Sequence, residues 1–250
     1  MNASKFARHA ALAGALALPV PAHAFHPLIT DDTGSQGAGG NQLEIGTDHG
    51  RSGGATARAV GLTYTRGIAD NLDLFIGAAY QTSAPSGWGN VGIGAKWRFH
   101  EDVAGKFSLA LKPEVLLPVS RADEADGLGN GKTSYGLTLI ASRETGFGEL
   151  HFNAELARSN LADAAIDERK SFWRLSVAPV WAVADGWELA FDLGLQANPD
   201  RSQNATMGFV EVGVVYCPND AVDLSLGVIR DLMDGPVETT TATAQATWHF

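Results

Sequence analysis

From about Asn41 to Phe250, apolar residues recur at every second position in runs of roughly ten, a period that only a β-strand turns into one continuous face. Val91, Ile93, Ala95, Trp97 and Phe99 alternate with Asn90, Gly92, Gly94, Lys96 and Arg98. Leu72, Leu74, Ile76, Ala78 and Tyr80 alternate with Asp73, Phe75, Gly77, Ala79 and Gln81. The same beat returns at Leu150–Leu156 and Trp187–Leu195. No apolar run approaches the ~18 residues of a membrane-spanning helix.

About twelve such runs follow one another without a helical interruption. The connections between them alternate in length. Short ones fall near Ala69-Asp70-Asn71, His100–Gly105, Glu144–Gly148, Asp185-Gly186 and Pro218-Asn219-Asp220. Long ones are expected at His49–Thr56, Thr82–Trp88, Ser120–Lys132, Ser159–Lys170, Asn198–Asn204 and Asp231–Glu238. Short turns on one side and long loops on the other are the layout of an outer-membrane barrel. The expected fold is therefore all-β, a transmembrane antiparallel barrel of about twelve strands over residues 41–250. A closed barrel leaves no strand edge and pairs every backbone group, as lipid requires. The polar face also carries many Gly, Ala and Ser residues, which suits a crowded lumen better than a solvated exterior.

The ends of the chain agree with export. Lys5 and Arg8 precede an apolar stretch from Ala10 to Val20, and Ala22-His23-Ala24 offers a small-x-small cleavage site. Residues 1–24 therefore read as a cleaved signal peptide, and 25–40 as a periplasmic N-terminal segment, either a lead-in or a plug. Removing Lys5 and Arg8 moves the formal charge from −10 to −12. So acidic a chain gains nothing from phosphate backbones, which argues against nucleic acid as a partner. Cys217, the one cysteine, cannot form an internal disulfide and reads as a small apolar residue.

Aromatic residues collect at strand ends. Trp97, Trp181, Trp187 and Trp248 lie beside short turns or the C-terminus, and Trp88 and Trp173 beside long loops, as membrane girdles do. Thr240, Ala242, Ala244, Ala246, Trp248 and Phe250 share one face of the last run. That ending resembles the signal read by the barrel assembly machinery. The expected partners are that machinery and the lipids of a Gram-negative outer membrane.

The stretch Phe25-His26-Pro27-Leu28-Ile29-Thr30-Asp31-Asp32-Thr33-Gly34-Ser35-Gln36-Gly37, followed by Asn41-Gln42-Leu43-Glu44, is the most distinctive in the chain. It resembles the opening of the meta-pathway phenol-degradation family, a group of presumed outer-membrane transporters. The resemblance is sharp over these residues and extends loosely over the rest. It implies a barrel that passes small, aromatic or otherwise hydrophobic compounds.

Motifs for other chemistry are incomplete. Asp32-Thr33-Gly34 matches the core of aspartic proteases, but that chemistry needs a second aspartate sharing a proton, and no second copy exists. Gly127–Thr133 approaches a phosphate loop, but Asp126 replaces its first glycine and no helix follows. His151 and Asn153 share a lumen face without a serine on their own strand, so a barrel hydrolase lacks its nucleophile there. His26 beside a new N-terminus has no further metal ligand near it in sequence. No enzyme, cofactor or metal is expected.

The lumen face carries the informative charges. By strand parity Glu44, Asp73, Glu114, Glu149, Glu155, Glu188, Asp192, Glu211 and Asp223 point inward, against Lys96, Arg98, Lys112 and Arg174. Two arrangements remain open: a cation-favouring pore, or cross-strand pairs that plug a narrow lumen. The corresponding roles are a passive channel for small molecules and a structural or binding barrel. Pro113 and Pro118 are expected within one strand and Pro179 in another. Each removes a ladder donor, giving either a bulge or a lateral gap.

Overall fold

The computed structural model describes residues 27–52, 55–163, 169–198, 204–232 and 239–250. The expected signal peptide, with Phe25 and His26, lies outside them. The strands are β1 (Asn41–Ser52), β2 (Ala55–Ala69), β3 (Leu72–Gln81), β4 (Gly87–Trp88), β5 (Gly92–Asp102), β6 (Phe107–Leu116), β7 (Ser134–Glu144), β8 (Gly148–Arg158), β9 (Ser171–Ala184), β10 (Trp187–Ala197), β11 (Thr206–Asn219), β12 (Val222–Asp231) and β13 (Thr239–His249). One short helix, α1 (Arg121–Ala125), sits between β6 and β7. Ser120 caps it, its hydroxyl accepting from the Asp123 amide at 3.2 Å.

Every neighbouring pair is antiparallel, and the ring closes where β1 meets β13 and β2 meets β3. Twelve strands form the wall; β4 is a two-residue addition to the end of β3. The expected twelve-stranded antiparallel barrel is what the chain forms. The Asp185-Gly186 turn shows how locally the hairpins are specified. Gly186 has φ +70°, and a Cβ there would stand 2.6 Å from the Cys217 carbonyl oxygen.

Side chains sort strictly by face. Ile45, Leu62, Ile76, Leu139, Leu156, Leu175, Leu195 and Leu226 all point outward and are exposed, Leu156 at 67% and Leu226 at 60%. Asp73, Asp192, Glu211 and His151 are fully buried inside. A soluble barrel would do the reverse, so the outer face is built for hydrocarbon. Trp187, Trp248 and Phe250 stand exposed on the outer face near strand ends, and Trp97, mid-way along β5, is level with the start of β3 at Leu72. Trp181 is stacked with Phe147 at 5.2 Å, and Trp187 with Tyr216 at 4.4 Å.

Two expectations need correction. The connection at His49–Thr56 is not a long loop: β1 runs to Ser52 and β2 starts at Ala55. The alternation of small residues there, Gly50 and Ala57 paired directly, lets the hairpin continue outward. Pro118 lies beyond the end of β6 at Leu116, so of the three only Pro113 and Pro179 sit within strands; Pro218, expected in a turn, falls in the last residues of β11.

Leu226, mid-strand and outward, tests the assignment of faces. Leu226→Arg should cost about 2–4 kcal/mol if that face meets lipid. Urea unfolding in liposomes reads the difference; an unchanged midpoint would mean the face is solvated.

Candidate functional site

The lumen is occupied by the chain itself. Residues 27–36 enter beside the short turns and run along the inner wall from β3 round to β12. At the entry, Gly39 donates to the Gly67 carbonyl at 3.0 Å and Gly67 to that of Gly40 at 2.9 Å. Any side chain at 67 would collide with the Gly37 carbonyl, so glycine is required for this approach. At the far end Pro27 fills a notch that Gly213 and Gly227 leave in β11 and β12, where a Cβ on either would strike its ring.

Leu28 packs with Ala178, Val180 and Ala190, and most residues after it find a polar partner on the wall. The Ser35 hydroxyl donates to the Asp70 carbonyl at 2.6 Å. The Gln36 amide donates to both oxygens of Asp73 at 3.1 Å. The Thr33 amide donates to Ser142 Oγ at 3.0 Å. Asn153, with its amide oriented to suit its neighbours, accepts from the Asp31 amide at 2.7 Å and donates to the Asp31 carbonyl at 2.9 Å. The Thr30 amide donates to Asp192 Oδ2 at 2.7 Å, its hydroxyl lies 2.8 Å from Oδ1 and 2.6 Å from Ser176 Oγ, and the Ile29 amide donates to Glu211 at 3.1 Å. The Asp32 and Gly34 amides turn to the segment's own carboxylates, Asp31 and Asp32, and the wall supplies partners for the amides of Ile29, Thr30, Asp31, Thr33 and Gln36.

The charges are distributed in a way that strand parity alone does not give. Lys112 pairs with Asp31, and Lys96 lies 3.6 Å from Asp31 and 3.5 Å from Asp32. The counter-ions of the two lumen lysines therefore come from the segment. Across adjacent strands Glu155 meets Arg174 at 3.2 Å, and Asp223 meets His249 at 2.8 Å. Arg98 turns to Glu101 at 3.5 Å and the Asp70 carbonyl at 3.2 Å. Glu44 accepts from Gln245 at 2.9 Å. Burial alone would raise the Asp31 carboxyl, but Lys112 and Lys96 outweigh it and hold it well below the ordinary range. Burial pushes Asp32 the other way, upward, against Lys96.

A cavity of about 360 Å³ separates the segment from β1–β3, β5 and β6, with Glu44, Asp73, Lys96, Lys112 and Glu114 among its lining.

Sequence reasoning missed one constellation. Ser142 stands opposite His151 on the neighbouring strand, its Oγ 2.8 Å from Nδ1, while Nε2 lies 3.2 Å from Glu149. Cross-strand pairing, which no single run reveals, brings the serine there. The Thr33 amide covers that hydroxyl, so the chain of bonds seats the segment and presents no exposed nucleophile.

A family model described as "Putative MetA-pathway of phenol degradation" matches residues 27–245. The chain belongs to that family. Among solved structures, the COG4313 outer membrane channel from Pseudomonas putida F1 superposes with TM-score 0.62 at 16% identity, over 88% of this chain and 98% of that one. The NanC porin gives 0.60 at 12% identity, covering 82% and 98%. The KdgM porin gives 0.58 at 10% identity, covering 83% and 99%. At such identities these are likenesses of fold. A search of curated protein sequences returned no match.

In this member of the phenol-degradation family the long-loop end is also tied down. Glu124 accepts from the amides of Gly131 at 2.6 Å, Ala162 at 2.8 Å and Asp163 at 2.9 Å, joining the β6–β7 and β8–β9 loops. Burial works against its charge, but the three amides outweigh it and hold the carboxyl below the ordinary range. Asn90 ties the β4–β5 connection to the same loop through the carbonyls of Leu117 at 2.7 Å and Asn130 at 2.9 Å.

Two outcomes follow. A depressed carboxyl stabilises above its unfolded pKa and is lost only as pH falls through the lowered folded value. The Asp31 pairs should thus hold the segment at pH ~4, the unfolded value, and release it only in stronger acid. Protection of the Asp31 and Thr33 amides, bonded to the uncharged Asn153 and Ser142, across a pH series would show release, and its loss near pH 6 would contradict the pairing. Glu124→Gln keeps Oε1 for Gly131 and Ala162 but sets an NH2 group against the Asp163 amide. Hydrogen exchange at Asp163 should accelerate in that variant while strand amides keep their protection.

Proposed function

We propose that this chain is an outer-membrane channel for the passive passage of small molecules, closed at rest by residues 27–36. The observation that carries the reading is how the segment is held. Every bond to it is a polar contact at an existing side chain or carbonyl, which water or a solute can replace. An apolar plug would have been packed for permanence. Apolar packing is confined to one end, where Pro27 sits in the notch at Gly213 and Gly227 and Leu28 packs with Ala178, Val180 and Ala190.

Aromatic or other hydrophobic compounds fit as solutes. The family's description concerns phenol degradation, and Phe75, Leu28 and Ile29 give the remaining cavity an apolar side. Residues 1–24 would be removed on export, and the last strand, ending at Trp248 and Phe250, would be read by the barrel assembly machinery in a Gram-negative outer membrane. The girdle of Trp97, Trp181, Trp187 and Trp248 would then sit at the lipid interface on the short-turn side.

The alternative is a structural or binding barrel whose lumen stays filled. The hydrolase reading is weaker, because Ser142 is capped by Thr33 and its histidine is fully buried.

Deleting residues 27–36 tests the channel directly. In planar bilayers the shortened chain should conduct far more than the full mature chain and should pass a phenolic compound. If it folds, shown by heat-modifiable gel migration, and passes neither ions nor solute, the structural reading replaces this one.

A further inference from the structure

We propose that the cavity beside the N-terminal segment binds a small organic carboxylate with an apolar body, which takes the place of the Asp31 side chain on Lys112 and Lys96. The inference rests on the channel reading for its consequence, since it names what would loosen the segment, but its binding test is independent of conduction.

The cavity, about 360 Å³, falls in the range of small-molecule sites, roughly 300–1,000 Å³. Its two cations and its apolar surface adjoin. The Lys112 ammonium bonds Asp31 and stands 5.1 Å from the centre of the Phe75 ring; Leu28 and Ile29 line the same space. Lys112 is 33% exposed, so a solute in the cavity reaches it, while Lys96 lies deeper at 13%. A carboxylate on Lys112 would place its attached body against Phe75.

Charge balance decides between addition and replacement. Glu44, Asp73 and Glu114 line the cavity as well, so an extra anion beside Asp31 would meet a surplus of negative charge. Exchanging one carboxylate for another leaves the sum unchanged. Glu44 and Asp73 already have donors of their own in Gln245 and Gln36, which leaves the lysines as the charge a solute can claim. The bulk solute needs no more than what Asp31 offers: a planar carboxylate at the same ammonium groups. A neutral solute could not compete with Asp31 for the lysines, and a cationic one would be repelled by them.

The test removes the internal competitor. In Asp31→Ala the lysines remain and the chain loses its own carboxylate. Benzoate should raise the thermal midpoint of this variant saturably, by a few degrees, with acetate weaker and benzyl alcohol or benzylamine without effect. By calorimetry benzoate should bind the full mature wild-type chain at least tenfold more weakly than the variant. Adding Lys96→Gln and Lys112→Gln to Asp31→Ala relieves the unpaired cations, so the triple variant should fold and lose the benzoate response. If Asp31→Ala does not fold, Asp31→Asn, which keeps the side-chain size, replaces it with the same expectations.

The proposal is overturned if benzoate leaves the variant unchanged, if benzyl alcohol matches it, or if the triple variant responds equally. Binding without conduction by the barrel lacking residues 27–36 would uphold the site and end the channel reading. Conduction without binding would do the opposite.

Discussion

A strand inside hydrocarbon has no water to satisfy its backbone, so each N–H and C=O must be met by a neighbouring strand. Everything else in this molecule follows from that constraint. It forces closure, which β2 and β3 complete. Closure fixes side-chain parity, because a strand has only two faces and one is now lipid. The outward face becomes Leu, Ile, Val and aromatic residues. Whatever polar chemistry the chain carries must then collect inside, in a space narrow enough that unpaired charge is costly.

That interior would be unstable if left as the strands alone make it. Lys96 and Lys112 face one another across β5 and β6, where two like charges repel. Asp192 and Glu211 are paired across β10 and β11 and repel as well. The N-terminal segment answers both problems with different groups. It brings carboxylates, Asp31 and Asp32, to the lysine side. It brings amides and a hydroxyl, from Ile29 and Thr30, to the carboxylate side. Ten residues with almost no periodic pattern therefore serve as a polar complement to the wall.

The wall was legible in the sequence because a period of two is a one-dimensional signal. Leu72–Tyr80 and Trp187–Leu195 announce their faces without knowledge of their neighbours. The site was less so, because its contacts join residues whose separation carries no pattern: Thr30 with Asp192, Asp31 with Lys112, Ser142 with His151 across a hairpin. Parity puts a charge in the lumen but cannot say which charge it meets. It offered an acidic pore or cross-strand pairs, and the arrangement found has the lysines answered by a segment outside the strands. The hairpin at residues 49–56 was misjudged for a related reason. Gly, Ser and Arg there read as a loop by composition, yet exposed strands beyond the bilayer need no apolar face.

Pro113 and Pro179, the two prolines away from strand ends, take on meaning once the segment is in place. Pairing of β5 with β6 lapses between Gly94–Glu114 and Trp97–Leu111, the stretch that holds Pro113 opposite Ala95 and Lys112 opposite Lys96. Pairing of β9 with β10 lapses between Ala190–Val180 and Leu193–Val177, the stretch that holds Pro179 and, opposite it, Phe191 beside Asp192. Proline lacks the amide that would continue either ladder. Both lapses thus fall where the segment makes its strongest contacts, at the lysines and at Asp192. A wall strained or loosened at a point is easier to reshape there, and the groups at those points are the ones that bind Asp31 and Thr30. The placement ties the local geometry of the wall to the seating of the segment: what happens at the lysines and at Asp192 acts on two stretches where the ladder is already interrupted.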